Sequence, residues 1–241
     1  MSPSKRALIT GGTGLIGRAI ALALGEAGYS VILNYSADES RASDVLRHLR
    51  ERQIQASLQR ADASQESDVA RLFESVLGEG SLDVLVNTVG RFHFKSFLET
   101  TSDEWDAVLA SNLRSTFLCC RAALPDMRSR GSGAIVNIAS MNAGVLRAKP
   151  KTLPYAIAKA GVLQLTKTLA TSEAKYGIRV NAVSPGFVRG GAYPPSRIEK
   201  TIPLGREAEA SEIAEAVRFL VSDEAAYVTG AVLDVHGGAF L

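Results

Sequence analysis

Short apolar runs rich in β-branched residues, spaced by segments of helical length, constrain this 241-residue chain more than any other feature. The strand candidates are residues 7–9, 31–33, 56–58, 84–86, 134–138, 180–183 and 232–235. Several are apolar without alternation, the pattern of strands buried on both faces of a parallel sheet. Between them the spacing predicts helices near 15–27, 38–52, 65–77, 103–128, 153–175 and 208–221. Repeated strand–helix alternation with right-handed crossovers predicts an α/β fold, a doubly wound parallel sheet of about seven strands with helices on both faces. No linker, low-complexity tract or domain-scale repeat divides the sequence, so residues 1–241 read as one domain. The irregular stretch 186–202, with Gly190-Gly191 and Pro194-Pro195, leaves the carboxyl end of a strand. Ligands bind beyond such ends, so it reads as a short substrate flap.

The net charge is +2 with acids and bases interspersed. That argues against a dedicated nucleic-acid or membrane surface. No apolar run reaches the roughly 18–20 residues of a membrane span. The run 7–27 follows Lys5-Arg6 as a signal peptide would, but Gly11-Gly12, Gly14 and Arg18 break it. His48, His93, His236 and the two cysteines are badly spaced for a metal site. Adjacent Cys119 and Cys120, inside an apolar helical run, read as buried structural thiols, in keeping with a reducing compartment. A cytoplasmic protein is expected.

Chemistry concentrates in two places. The first is the turn Thr10-Gly11-Gly12-Thr13-Gly14-Leu15-Ile16-Gly17, after a strand and before a helix. Gly11, Gly14 and Gly17 would let a dinucleotide pyrophosphate approach bare backbone at the positive end of that helix; the alternative is a tight turn serving helix–sheet packing alone. The second strand ends Asn34-Tyr35-Ser36, with Asp38 and Glu39 falling in the next helix turn. Without an acid at the strand end to bind ribose hydroxyls, and with Ser36 and Arg41 near a 2′-phosphate, NADP(H) is favoured over NAD(H). Asp62 could accept from an adenine amino group, and Ser64 would cap the following helix. Asn87-Thr88-Val89-Gly90 ends the fourth strand on the edge facing the cofactor. The second place is Tyr155-x-x-x-Lys159, which puts an ammonium near a phenol on one helix face. A nearby cation lowers a phenol's pKa and makes it a usable proton donor.

These pieces, with Asn112, Ser140, the run 181–186 and the C-terminal Asp234-Val235-His236-Gly237-Gly238, occur in one order. In that order the chain resembles the short-chain dehydrogenase/reductase family over essentially its whole length. The resemblance implies a Rossmann-like fold, a nicotinamide dinucleotide and a homotetramer or dimer. It implies Tyr155 as catalytic acid/base, Lys159 as its partner and ribose ligand, Ser140 on the substrate oxygen, and Asn112 supporting a proton-relay water. Cofactor contacts are implied for Gly11, Thr13, Gly14, Leu15, Ile16 and Gly17, for Tyr35, Ser36, Asp62 and Ala63, for Asn87, Gly90, Tyr155 and Lys159, and for Pro185, Gly186 and Val188. Leu15 stands where the classical subgroup has its penultimate glycine. Thr88-Val89 replace an Asn-Ala pair, and Ser140 precedes Tyr155 by fifteen residues instead of the commoner thirteen. A two-residue insertion within 147–151 would absorb the difference; Asn142 has the usual spacing and is a second candidate for the substrate oxygen. The chain looks much like 3-oxoacyl-acyl-carrier-protein reductases, which implies reduction of a small oxo substrate. Phe92, two residues after Gly90, and the short flap are similar to pteridine reductases, whose aromatic stacks on a pterin. Arg91 and Arg189 are candidates to line the pocket and favour an anionic substrate. Members of this fold that bind dinucleotide without turnover typically lose the tyrosine or the lysine, and this chain keeps both.

Overall fold

The computed structural model describes residues 4–192 and 201–239; residues 193–200 of the expected flap lie outside them. The strands are β1 (Arg6–Thr10), β2 (Ser30–Tyr35), β3 (Ala56–Arg60), β4 (Val84–Asn87), β5 (Gly133–Ile138), β6 (Ile178–Pro185) and β7 (Val232–Val235). All pair in parallel, in the order β3-β2-β1-β4-β5-β6-β7. The order reverses between β1 and β4, the switch point beyond which a doubly wound sheet opens its ligand crevice.

Successive side chains of a strand enter opposite faces. Ala7 and Ile9 of β1 join a core with α1 (Leu15–Glu26), α2 (Glu39–Glu51) and α7 (Ala210–Val221). Leu8, between them, joins a second core with α3 (Glu66–Gly78), α5 (Ser115–Arg130) and α6 (Leu153–Glu173). Both faces are covered, and for that reason the central strands read as unbroken apolar runs. Cys119 and Cys120 lie fully inside the second core.

The periodicity over 103–128 predicts a single helix. The chain instead forms α4 (Ser102–Leu109), a π-helical turn at Ala110–Arg114, and then α5. Side chains within the turn reach its backbone carbonyls: Asn112 Nδ2 donates to Val108 O at 3.0 Å, Ser115 Oγ to Ser111 O at 2.6 Å, and Thr116 Oγ1 to Asn112 O at 2.9 Å. Such bonds accompany a widened turn, often at a functional position. A second departure is at α3, whose N-cap is Gln65 and not Ser64. Ser64 turns back, its amide and hydroxyl both donating to Asp62 Oδ1 at 2.9 and 2.8 Å.

In the glycine turn, Gly11 is left-handed at φ +63°. A Cβ on Gly17 would overlap the Gly11 carbonyl oxygen and come within 2.8 Å of Gly12 Cα. Gly17 is therefore required by packing, whatever the turn binds. Leu15, the first residue of α1, tolerates a side chain because it points away, toward Gly190.

Glu173, at the end of α6, is 1% exposed and accepts from Arg128 Nε at 2.6 Å and Nη2 at 2.8 Å. The guanidinium lies 4.7 Å from the Tyr176 ring. The Arg128 bonds hold the Glu173 carboxyl below its ordinary range.

Two predictions follow from packing. Gly17→Ala should lower unfolding free energy by about 1–3 kcal/mol, because the new methyl meets backbone that cannot yield; a urea titration measures it. Glu173→Gln should cost about 1.5–3 kcal/mol at neutral pH. A depressed carboxylate stabilises above its unfolded pKa and loses that contribution as pH falls through the folded value. The gap between wild type and Glu173→Gln should accordingly narrow on acidification below the ordinary carboxylate range.

Candidate active site

Past the carboxyl ends of β1, β2 and β4 lies a trough that meets an adjoining cavity at Gly90 and Thr88. Gly11, Thr13, Gly14, Tyr35, Ser36, Asp62 and Ala63 line the trough. Ile16, Phe92, Asn112, Ser140, Tyr155, Lys159, Pro185, Gly186 and Val188 line the cavity. The first amides of α1 lack intrahelical acceptors, and the Gly14 N-cap gives them no side-chain partner and no acid in the first turn. That terminus suits an anion.

α6 starts with Pro154 in its first turn, a position where its fixed φ and missing N–H cost nothing. Tyr155 follows, and Lys159 lies one turn on with Nζ 5.7 Å from the tyrosine ring centroid. Lys159 is 4% exposed and donates to Ile138 O, the last residue of β5, at 2.7 Å. Burial pulls its pKa from 10.5 down to about 8. Beyond β5 the chain continues to pair with β6, Ala139 N donating to Val183 O and Met141 N to Pro185 O. This carries Ser140 into the cavity wall shared with Tyr155.

Asn112 reaches the same point from the π turn. Its Nδ2 donates to Arg91 O and Val108 O, each at 3.0 Å, while its buried Oδ1 accepts no hydrogen bond among the described residues. A Cβ at Gly90 would overlap that oxygen and lie 3.3 Å from Lys159 Nζ. The bare backbone of Gly90 is what lets the amide and the ammonium converge. Gly186 is bare for a different reason, since a Cβ there would come within 2.7 Å of His236 Cα.

Several residues singled out in the sequence sit elsewhere. Asn87 turns into the core, its Nδ2 donating to Asn137 Oδ1 at 2.9 Å, and Asn137 in turn to Thr166 Oγ1 at 2.9 Å. Its side chain is thus taken up in sheet–helix packing and is not among those lining the trough or the cavity. Leu15 and Gly17 line neither hollow. Arg91 has an exposed side chain and does not line the cavity; its backbone serves instead, its amide bonding Ser111 and its carbonyl Asn112. Arg189 pairs with Glu209 at 2.7 Å. Asn142, left-handed at φ +60°, lines an adjoining compartment, so of the two oxygen-holder candidates only Ser140 lines the inner cavity. The Asp62 Oδ1 acceptor is engaged by Ser64, while the residue still lines the trough.

Thr88 was visible only as a departure from a pattern. Its hydroxyl donates to Thr10 O at 2.6 Å and ties the glycine turn to β4. Met141, Phe187 and Glu207 also line the cavity, and no sequence pattern marked them. The side walls are braced together: Lys95 N donates to Lys151 O at 2.9 Å, and Lys151 lies 5.4 Å from the Phe94 ring. Phe92 stacks 6.3 Å from Phe94 and sets its ring edge-on to Tyr155 at 5.2 Å.

Comparison with known proteins agrees with this geometry. The model of a family described as enoyl-(acyl carrier protein) reductase matches residues 13–239. The 3-oxoacyl-(acyl-carrier-protein) reductase FabG of Staphylococcus aureus is 36% identical over 248 residues, covering 100% of both chains. The cis-4-hydroxycyclohexanecarboxylate dehydrogenase of Sinomonas cyclohexanicum is 40% identical over 240 residues, covering 96% of this chain and 95% of its own. A crystal structure of a variant actinorhodin polyketide ketoreductase with NADPH superimposes with a TM-score of 0.92 at 33% identity, covering 99% of this chain and 98% of that one. Fold, ordered site and full-length likeness lead to one conclusion: the chain belongs to the short-chain dehydrogenase/reductase family.

Proposed function

We propose that this protein is an NADP(H)-preferring reductase of a carbonyl substrate, with Tyr155 as the proton donor. The observation that carries the reading is the convergence of Tyr155, Lys159, Ser140 and Asn112 on one cavity at the end of a glycine-lined trough. The trough fits a nicotinamide dinucleotide, because Gly11 and Gly14 leave backbone bare beside an uncapped helix terminus and Lys159 offers a cation at the inner end. When bound, the dinucleotide supplies a hydride to the carbonyl carbon and is oxidised by two electrons. The carbonyl oxygen gains negative charge and takes a proton from the Tyr155 hydroxyl, giving an alcohol. Ser140 holds that oxygen from the other side, and the Lys159 ammonium favours the phenolate that remains. The free Oδ1 of Asn112 is available to order a water beside Lys159, from which the proton returns.

Ser36 and Arg41 line the outer end of the trough. Asp38 accepts from Arg41 N at 2.9 Å and pairs with its guanidinium at 3.4 Å, so this acid is occupied at the start of α2. The arrangement supports a 2′-phosphate there in preference to a bare ribose. Likeness to the Staphylococcus aureus reductase supports a 3-oxoacyl thioester-like or other small oxo substrate, and the family resemblance read from the sequence is the sole support for a cytoplasmic homotetramer or dimer. Among the described residues no helix is long and apolar enough to cross a membrane. A second reading, reduction of a dihydropterin, is favoured by Phe92, whose ring lines the cavity against Tyr155. Oxidation of NADPH with acetoacetyl-coenzyme A and, in parallel, with a dihydropterin separates the two.

Tyr155→Phe should lower kcat/KM by about 10²–10⁴-fold, the usual worth of a positioned general acid, while the Kd for NADPH stays within a few-fold. Normal turnover by this variant would remove Tyr155 from the mechanism, and an inactive wild type that still binds NADPH would favour a dinucleotide-binding protein without turnover. The free enzyme's ionisations govern kcat/KM for the dinucleotide. With Lys159 losing its proton at about 8, that parameter should be flat below and fall about tenfold per pH unit above.

A further inference from the structure

Beside the inner cavity lies a second compartment, between the loop 141–152 and the start of α6. It shares Ser140, Met141, Tyr155 and Lys159 with the cavity, so the two adjoin at the tyrosine. Its walls are mostly apolar, with Val145, Leu146, Leu153 and Ile157 prominent. Leu146 is fully exposed, and Val145 and Ile157 are 53% and 42% exposed. Three large apolar side chains left exposed on the single chain around one opening suit an apolar occupant.

Among the described residues the charges in this compartment are of one sign: Arg147, Lys149 and Lys159 line it, and no Asp or Glu does. Neither Arg147 nor Lys149 forms an ion pair among the described residues, although neighbouring Lys95 is paired with Glu104 at 2.5 Å and Lys151 covers Phe94. Lys149 is half-buried and Arg147 exposed. A carboxylate entering such a space loses hydration and needs opposite charge to offset the loss. A guanidinium supplies it in bidentate geometry, and an ammonium adds a second point charge.

We propose that this compartment is a subsite for the anionic end of the substrate, which makes the substrate a small oxo-carboxylate: its carbonyl sits at Ser140 and Tyr155, its apolar body against Leu146, Leu153 and Ile157, and its carboxylate at Arg147 and Lys149. The substrate assignment rests on the carbonyl-reduction reading above; the anion subsite stands on the compartment itself. The acid outcompetes its neutral ester because the ester leaves the two cations unmatched. The anionic preference first looked for at Arg91 and Arg189 belongs, on this geometry, to a different loop.

The test compares wild type with the double variant Arg147→Ala/Lys149→Ala, both in exposed loop and both with NADPH present. Calorimetry with unreactive cyclohexanecarboxylate should show at least about tenfold tighter binding than with neutral cyclohexanecarboxamide, and the double variant should lose that preference. In turnover, the acid-over-ester ratio of kcat/KM for 4-oxocyclohexanecarboxylate against its ethyl ester should fall at least about tenfold in the double variant. Equal binding of acid and amide by wild type, or a preference that survives in the double variant, overturns the subsite. Charge-dependent binding of the acid with no reduction of this ketone or of acetoacetyl-coenzyme A keeps the subsite and overturns the carbonyl-reduction reading. Reduction of acid and ester at equal kcat/KM does the reverse.

Discussion

The hydrogen bond from Lys159 Nζ to the Ile138 carbonyl is the contact on which the rest of the site depends. It fastens the second turn of α6 to the end of β5. Tyr155, one turn earlier, and Ser140, two residues past Ile138, are then fixed on either side of one cavity. It also keeps an ammonium inside the protein, next to a glycine whose missing side chain admits Asn112. The cost of burial appears in the lowered pKa. Between about 8 and 10.5 the folded chain binds fewer protons at this group than the unfolded chain, so its contribution to stability rises with pH across that window. The protonated form that the proposed mechanism uses is thus the one the fold holds at a disadvantage, a common trade between function and stability.

The sheet was legible because burial on both faces writes itself into its central strands as unbroken apolar runs. The glycine turn and Tyr155-x-x-x-Lys159 were legible because backbone closeness and helix spacing are local. What escaped was mostly non-local. Asn87 was assigned correctly to the end of β4, but which way it points follows from its register beside Thr10 and Asn137, a property of the assembled sheet. The π turn escaped because it adds a fraction of a turn without interrupting the apolar pattern. Leu15 looked like a loss in a glycine motif; at the first position of α1 its side chain has room toward Gly190, and Gly17 alone bears the close approach.

The site's walls are less independent than their separation in sequence suggests. The loop after β4 supplies Phe92 and Phe94, the loop after β5 supplies Ser140 through Lys151, and a backbone bond with a cation–aromatic contact joins them. A change in Lys151 would therefore be felt at Phe92 and, through its edge contact, at the Tyr155 ring. The two loops and the Tyr155 ring are thus mechanically coupled.

The vicinal thiols have their own consequence. Cys119 and Cys120 point about 100° apart on a helix, and both fall on the broad buried face of α5, away from the exposed stripe of Phe117, Arg121, Pro125 and Arg128. Burial pushes Cys119 up to about 12 and Cys120 higher still, so neither offers a thiolate near neutral pH while the layer is closed. An alkylating reagent can consume them only as fast as α5 lifts from the sheet. The chain thereby carries an internal clock, its modification rate timing the opening of the layer that holds β4 and β5 together.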